Sequence, residues 1–397
     1  MVPLAMFAIA GLFMVLNSLR QKNISVTFKS NLALKVLMYC FLLIWLPMLL
    51  SLIGTDYPSV VLRTAGLYPL YGLMAVGVVL LLQQYVVLKQ IMIVLSWVIG
   101  FWAFDGIVQV LLGFDLFNIP LEHGNVVFGH ASSIFNHPNK YGFYIGMLAS
   151  IPLFTLYLLN AKRTTHIFVG LLVLIAVLIG AARGGWVMFA WSLIPYIYLV
   201  FIKPAKYPLI PLVLIPILML GLGFVVLQFS PGMQERMQRS QGFKTWDYQS
   251  INIASSDRLD IYFAAFNIGK AHPLSGAGVD TYTLEFKNYF PHQTDKSIWT
   301  EAQTMAHPHQ VILELWSGAG LIGLIGFCGV WVVMWRLWRQ ATPEQRKFAL
   351  PVLIPLVVLW WPINTHRGFY ASELGSLSLF FLALSIIGLT QRTKNNL

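Results

Sequence analysis

The chain has 397 residues, of which 57% are hydrophobic and 10% charged, and its mean hydropathy is +0.71. Those values exclude a soluble globular domain and point to a protein whose solvent is largely lipid. The formal net charge of +11 does not signal nucleic acid, because the basic residues sit mainly in short connections between apolar runs, a pattern that concerns membrane topology.

Apolar runs of near twenty residues predict an all-α polytopic membrane bundle, since a helix satisfies all its backbone hydrogen bonds in oil, whereas a barrel needs short alternating segments. In chain order the runs fall near residues 3–19, 32–53, 65–82, 91–113, 140–159, 167–182, 186–201, 209–228, 311–335, 349–363 and 374–390. That makes about eleven spans, or twelve if the amino-terminal segment pairs differently. The first run is not read as a cleaved signal, because no basic stretch precedes it and Arg20 and Lys22 follow it. The two cysteines, Cys40 and Cys328, lie in apolar runs and read as small core residues, with neither a disulfide framework nor a thiolate metal site implied.

A single long polar stretch, roughly eighty residues from Phe229 to Gln310, interrupts this pattern and is too long for a passive connector. The chain therefore divides into residues 1–228, the first part of the bundle, 229–310, a large and partly helical loop region, and 311–397, the last part of the bundle. Basic residues such as Lys89, Lys162, Arg163, Lys203, Arg336 and Arg346 fall in alternate short connections, which should be cytoplasmic. The long loop then faces outward. So do His309 and Arg183, the latter at the tip of the tight hairpin Ala181-Ala182-Arg183-Gly184-Gly185-Trp186.

Four places carry chemistry-bearing side chains. Asp105, within an apolar run, is costly unless it faces water or a partner, and reads either as a structural ion pair or as a substrate contact. The segment Ser132 to Gly142 contains His137-Pro138-Asn139, a proline-led helix start whose His137 and Asn139 either cap and hydrate the helix end or meet a polar ligand. In the long loop, Ser255-Ser256-Asp257-Arg258 predicts a serine-capped helix running to Gly269, with Arg258 in the first turn, where a cation opposes the helix dipole. Such a placement suits an anion site, the alternative being a weak surface pair with Asp257 or Asp260. At the loop's end Pro308 can open the following span and place His309 in its first turn. There a histidine kept neutral can accept a proton beside N–H groups able to hold a phosphate; the bland alternative is that His307 and His309 merely wet a helix end. The two histidines lack the company that a metal site would need.

These blocks resemble the O-antigen ligase and polymerase family of bacterial membrane glycosyltransferases, which have many spans and one large periplasmic loop. The resemblance is carried by Phe135-Asn136-His137-Pro138-Asn139, by Arg183-Gly184-Gly185, by Ser255-Ser256-Asp257-Arg258-Leu259 with Gly276-Ala277-Gly278, and by His309-Gln310 with Leu313 and Gly318-Ala319-Gly320-Leu321-Ile322-Gly323. Gln310 stands where many members have asparagine. The resemblance implies a GT-C-like glycosyltransferase of the bacterial inner membrane whose active site faces the periplasm. It also implies a donor glycan on undecaprenyl pyrophosphate, a lipid A core acceptor, and catalysis without a metal or other cofactor. His309 becomes the base and Arg183 and Arg258 the pyrophosphate clamp, with His137, Asn139, His307, Gln310 and Asp105 assigned to substrate binding. Membrane lipids surround the bundle, and no nucleic acid is expected. A polymerase would differ only in its acceptor, a second lipid-linked glycan. A lipid or sugar transporter would instead use Asp105 and broken helices without His309, and no internal repeat supports it.

Overall fold

A computed structural model describes residues 31–82, 85–121, 131–135, 137–180, 182–204, 221, 247–255, 257–289, 307–362 and 368–391. The protein is an all-α polytopic membrane protein, with no strand among the described residues. The helices are α1 (Leu32–Leu50), α2 (Pro58–Leu82), α3 (Tyr85–Leu112), α4 (Pro138–Leu148), α5 (Ser150–Leu158), α6 (Arg163–Ile179) and α7 (Arg183–Ile197). After them come α8 (Tyr248–Ser255), α9 (Arg258–Ala271), the single turn α10 (Tyr282–Glu285), α11 (Val311–Gln340), α12 (Pro343–Leu359) and α13 (Ser372–Thr390). Seven segments among the described residues are long and apolar enough to cross a membrane, with α4 and α5 together making one of them. The helices α6 and α12 are shorter and fall on two further expected spans. The expected spans near 3–19 and 209–228 lie outside the described residues, Gly221 excepted.

The chain folds as two compact units, one made of Met1–Leu88, Thr245–Ala349 and Trp360–Leu397, the other of Lys89–Lys244 and Leu350–Leu359. In the first unit α1 lies against α2 and α11, and α13 lies against α2 and α1. Small residues set these approaches, as expected where lipid supplies no hydrophobic drive between helices. A Cβ at Gly326 of α11 would stand 2.1 Å from the Leu43 carbonyl oxygen of α1. Cys40 is buried there, but Cys328 lies on an exposed face of α11, so only one of the two is a core residue. In an apolar solvent an outward thiol carries no penalty.

The helix α11 is broken at Gly320, whose φ of 61° and ψ of −153° belong to a region open essentially to glycine. A continuous helix would bond Leu321 N–H to Ser317 C=O and Ile322 N–H to Gly318 C=O. Instead the segment 273–278 supplies both sides. Leu321 and Ile322 donate to the Pro273 and Leu274 carbonyls at 2.9 and 3.1 Å, and the Ser317 and Gly318 carbonyls accept from Ala277 and Gly278 at 2.8 and 3.1 Å. Backbone groups freed within a membrane helix must find partners, and here the segment 273–278 provides them. Gly276, with φ +70°, is needed for the close approach, since a Cβ there would meet the Ala319 nitrogen at 2.4 Å.

In the second unit α4 packs on α7 and α6. The contact is backbone on backbone. A Cβ at Gly146 would stand 2.2 Å from the Gly185 carbonyl oxygen, and one at Gly185 would stand 2.1 Å from that of Gly142.

Candidate functional site

In the second unit, the glycine contacts bring the start of α4 beside the turn between α6 and α7. His137 caps α4, its Nδ1 accepting the Asn139 N–H at 3.1 Å, and both side chains are exposed. Arg183 is the first residue of α7, whose capping residue, Ala182, makes no side-chain cap. Two of the four sequence blocks thus adjoin each other. Asp105 of α3 is fully buried beneath them: Oδ1 accepts the Leu116 N–H at 2.9 Å and Oδ2 accepts the Ser133 hydroxyl. One turn on, Gln109 accepts the Ser132 and Ser133 N–H groups, each at 2.8 Å, and its amide donates to the Ile119 carbonyl at 3.2 Å. The observed partners of Asp105 are thus loop groups that it anchors, and no ion pair is formed among the described residues. Gln109 escaped the sequence reading, although a second polar residue four positions from Asp105 in the same apolar run was a usable signal.

In the first unit, the expected serine-capped helix is corrected in detail. Ser255 closes α8, and α9 begins at Arg258 after Asp257, which takes a left-handed φ of 59°. The cap comes from the preceding helix: Asn252 accepts the Asp260 N–H at 3.3 Å and donates to the Asp260 carboxylate at 2.9 Å. Tyr248 adds a hydroxyl to the same carboxylate at 2.5 Å. Asp260 is therefore committed to joining two helices. Arg258 donates to the Ser255 carbonyl at 3.3 Å and forms no ion pair with a described carboxylate, so the surface-pair alternative does not hold for Asp257 or Asp260. Burial pushes the Arg258 pKa down while neighbouring Tyr262 pulls it back up, and a guanidinium stays charged under either influence.

His309 is likewise displaced from its expected place. The helix α11 begins at Val311, and Gln310 caps it, its side chain accepting the Leu313 N–H at 2.5 Å and its amide donating to the Pro362 carbonyl. His309 therefore precedes the cap, with a left-handed φ of 56° that few non-glycine residues adopt. Its ring lies against that of His307, centroids 4.1 Å apart. The two helix starts are brought to one end of the unit because α9 and α11 run the same way. Leu313 packs against the cluster that includes Ile261, Ala264 and Ile268; the Trp316 indole donates to the Phe266 carbonyl at 3.1 Å; and Gly269 lets that indole approach. Two helix amino ends, a cation with no carboxylate pair among the described residues and two imidazoles make a setting fit for an anion and a proton.

Residues 167–328 match the family model described as O-antigen ligase. Over that stretch, less than half of its length, the chain is similar to the O-antigen ligase family. The matched stretch includes Arg183, Arg258 and His309, whereas Asp105, His137 and Asn139 precede it. No curated protein matches the chain. The match supports a multi-pass, glycosyltransferase-like membrane protein of the general O-antigen ligase and polymerase type, which acts on lipid-linked glycans. No group of three or more metal-ligating side chains is gathered among the described residues.

Proposed function

We propose that the protein is an O-antigen ligase, transferring a glycan from undecaprenyl pyrophosphate to a sugar hydroxyl of lipid A core on the periplasmic side of the inner membrane. What supports this reading is that Arg258 opens α9 and His309 lies two residues before α11, a helix that packs on α9, all within the matched stretch. Nucleotide sugars are absent outside the inner membrane, so a donor used there must carry its own activation, and a lipid-linked pyrophosphate does. His309 takes the proton of the acceptor hydroxyl. The oxygen forms its bond to the anomeric carbon from the face opposite the leaving group, and the bond to pyrophosphate breaks with its electron pair, inverting the centre. Arg258 neutralises the charge that builds on the departing pyrophosphate, a preorganised role typically worth about 3 kcal/mol per donor. The sequence resemblance alone assigns Arg183 a role in holding the pyrophosphate. His137, Asn139, His307 and Gln310 are assigned to substrate contacts. No metal is required, since the arginines supply the charge that an ion would otherwise bring.

The test is reconstitution. Purified protein incubated with lipid-linked glycan and lipid A core should yield the joined product. A second arm, with lipid-linked glycan as donor and acceptor, should yield none; lengthened lipid-linked glycan there, with no ligated core, would identify a polymerase instead.

A further inference from the structure

Glu314 lies in the opening turn of α11 and is buried. An ionisable residue inside a membrane helix is costly and marks function by default. Leucine would fill comparable space but leave the buried Tyr370 N–H without its acceptor, so the stability share of the carboxyl has to be separated from its functional share by experiment. Its Oε1 accepts the Tyr370 N–H at 3.2 Å, whereas Oε2 is buried with no hydrogen-bond partner among the described residues. The Tyr68 hydroxyl of α2 is in the same state, and its ring adjoins the same turn: a Cβ at Gly375 would lie 3.1 Å from that ring and 3.6 Å from the Phe369 carbonyl oxygen. Gly368 keeps clear the space between carboxyl and imidazole. A Cβ there would stand 3.5 Å from Glu314 Oε1 and 3.5 Å from His307 Cγ. His307 in turn lies against His309.

We propose that Glu314 is a positioning residue for glycan transfer: by holding the turn at Phe369 and Tyr370 it seats the His307 ring, and through His307 it orients His309. This rests on the reading of His309 as the base. The left-handed backbone at His309 leaves its ring direction to be set by neighbours, and an error of about 1 Å in a reacting group costs about a hundredfold in rate.

The experiment compares Glu314→Gln with Glu314→Leu in the purified full-length protein, using lipid-linked glycan and lipid A core as substrates. Glutamine keeps the acceptor oxygen and the shape, and should stay within about threefold of the parent kcat. Leucine removes the acceptor and should lose about a hundredfold in kcat, with donor KM changed by less than about twofold. A residue that only stabilises the fold would lower folded yield without that split and without rescue by glutamine. Parent-like kcat in folded Glu314→Leu overturns the proposal, as does Glu314→Gln falling as far as leucine. Should leucine prevent folding, Glu314→Asp decides: one methylene short, it should lose at least about tenfold in kcat, and a parent-like kcat refutes the proposal. His309→Ala runs alongside. If it remains active the base assignment itself fails, whereas an inactive His309→Ala with an indifferent Glu314 position rejects this inference and leaves the base in place.

Discussion

Arg258 and His309 do different work and should respond differently to conservative change. His309→Ala is expected to abolish turnover while lipid-linked donor still binds, because a base acts on the acceptor and not on the pyrophosphate. Arg258→Lys should lose about a hundredfold in kcat, since a point charge does not reproduce a planar fork against pyrophosphate oxygens. Single-turnover rates and a donor-binding isotherm on each purified variant check both expectations. Normal transfer by folded His309→Ala would end the base assignment. The types and approximate places of these residues were legible in the sequence, because a proline ahead of a span and an acid-flanked arginine are local signals. Their settings were not. The cap of α9 comes from Asn252 in the helix before it, and Gln310 displaces His309 from the first turn by capping α11 itself, each through a side-chain bond that spacing does not announce.

At the scale of elements, two glycine clusters that meant little apart turn out to be one joint. Gly276 and Gly320 both carry positive φ; a Cβ at Gly276 would meet the Gly318 and Ala319 backbone, and one at Gly320 would stand 2.6 Å from the Gly276 nitrogen. Alanine at either position adds an unfavourable backbone state to a clash with main chain, and should destabilise by about 3 kcal/mol or more. Gly66 and Gly170 supply the contrast, since a Cβ at either has nothing within 4 Å, and alanine there should be neutral or gain up to about 1 kcal/mol. Thermal unfolding of the four detergent-purified variants decides the matter; equal midpoints would mean that the joint is not structural. Periodicity could place α11 as a span, but the partner of its break lies about forty residues earlier and no local pattern pairs the two.

For the whole molecule, the distribution of basic residues predicts that Arg183, Arg258 and His309 share the periplasmic side and that the carboxyl terminus is cytoplasmic. Single cysteines beside Arg183 and beside His309 should both react with an impermeant maleimide in intact spheroplasts. Labelling of one from outside and the other only after lysis would defeat the one-sided arrangement. Chelation tests the chemistry at the same scale. Asp257 and Asp260 stand three residues apart, a spacing at which two carboxylates can share a cation, yet Asp260 is already bonded to Tyr248 and Asn252. Transfer should survive excess chelator unchanged, and strict loss with rescue by one divalent ion would replace the arginine clamp with a metal. Fold class was plain from composition, because a lipid solvent leaves few architectures; the span boundaries were less so, with α2 beginning at Pro58 and α11 running to Gln340 because polar and basic residues extend those helices beyond their apolar cores.

The bend in α11 carries a consequence for how the protein is made. The two N–H and two C=O groups that the segment 273–278 satisfies are those that would satisfy one another in a straight helix. Both forms therefore satisfy the same four helix groups, with two bonds in the straight form and four in the bent one, so docking of the segment 273–278 is what favours the bend. A peptide of residues 311–340 in micelles should be a continuous rod, with Gly320 in ordinary helical geometry by its backbone chemical shifts. During synthesis the loop precedes the span, so the span emerges into a membrane where its bending partner already waits, and the amino half of the helix, with His309 at its tip, takes its direction from that encounter and not from the bilayer.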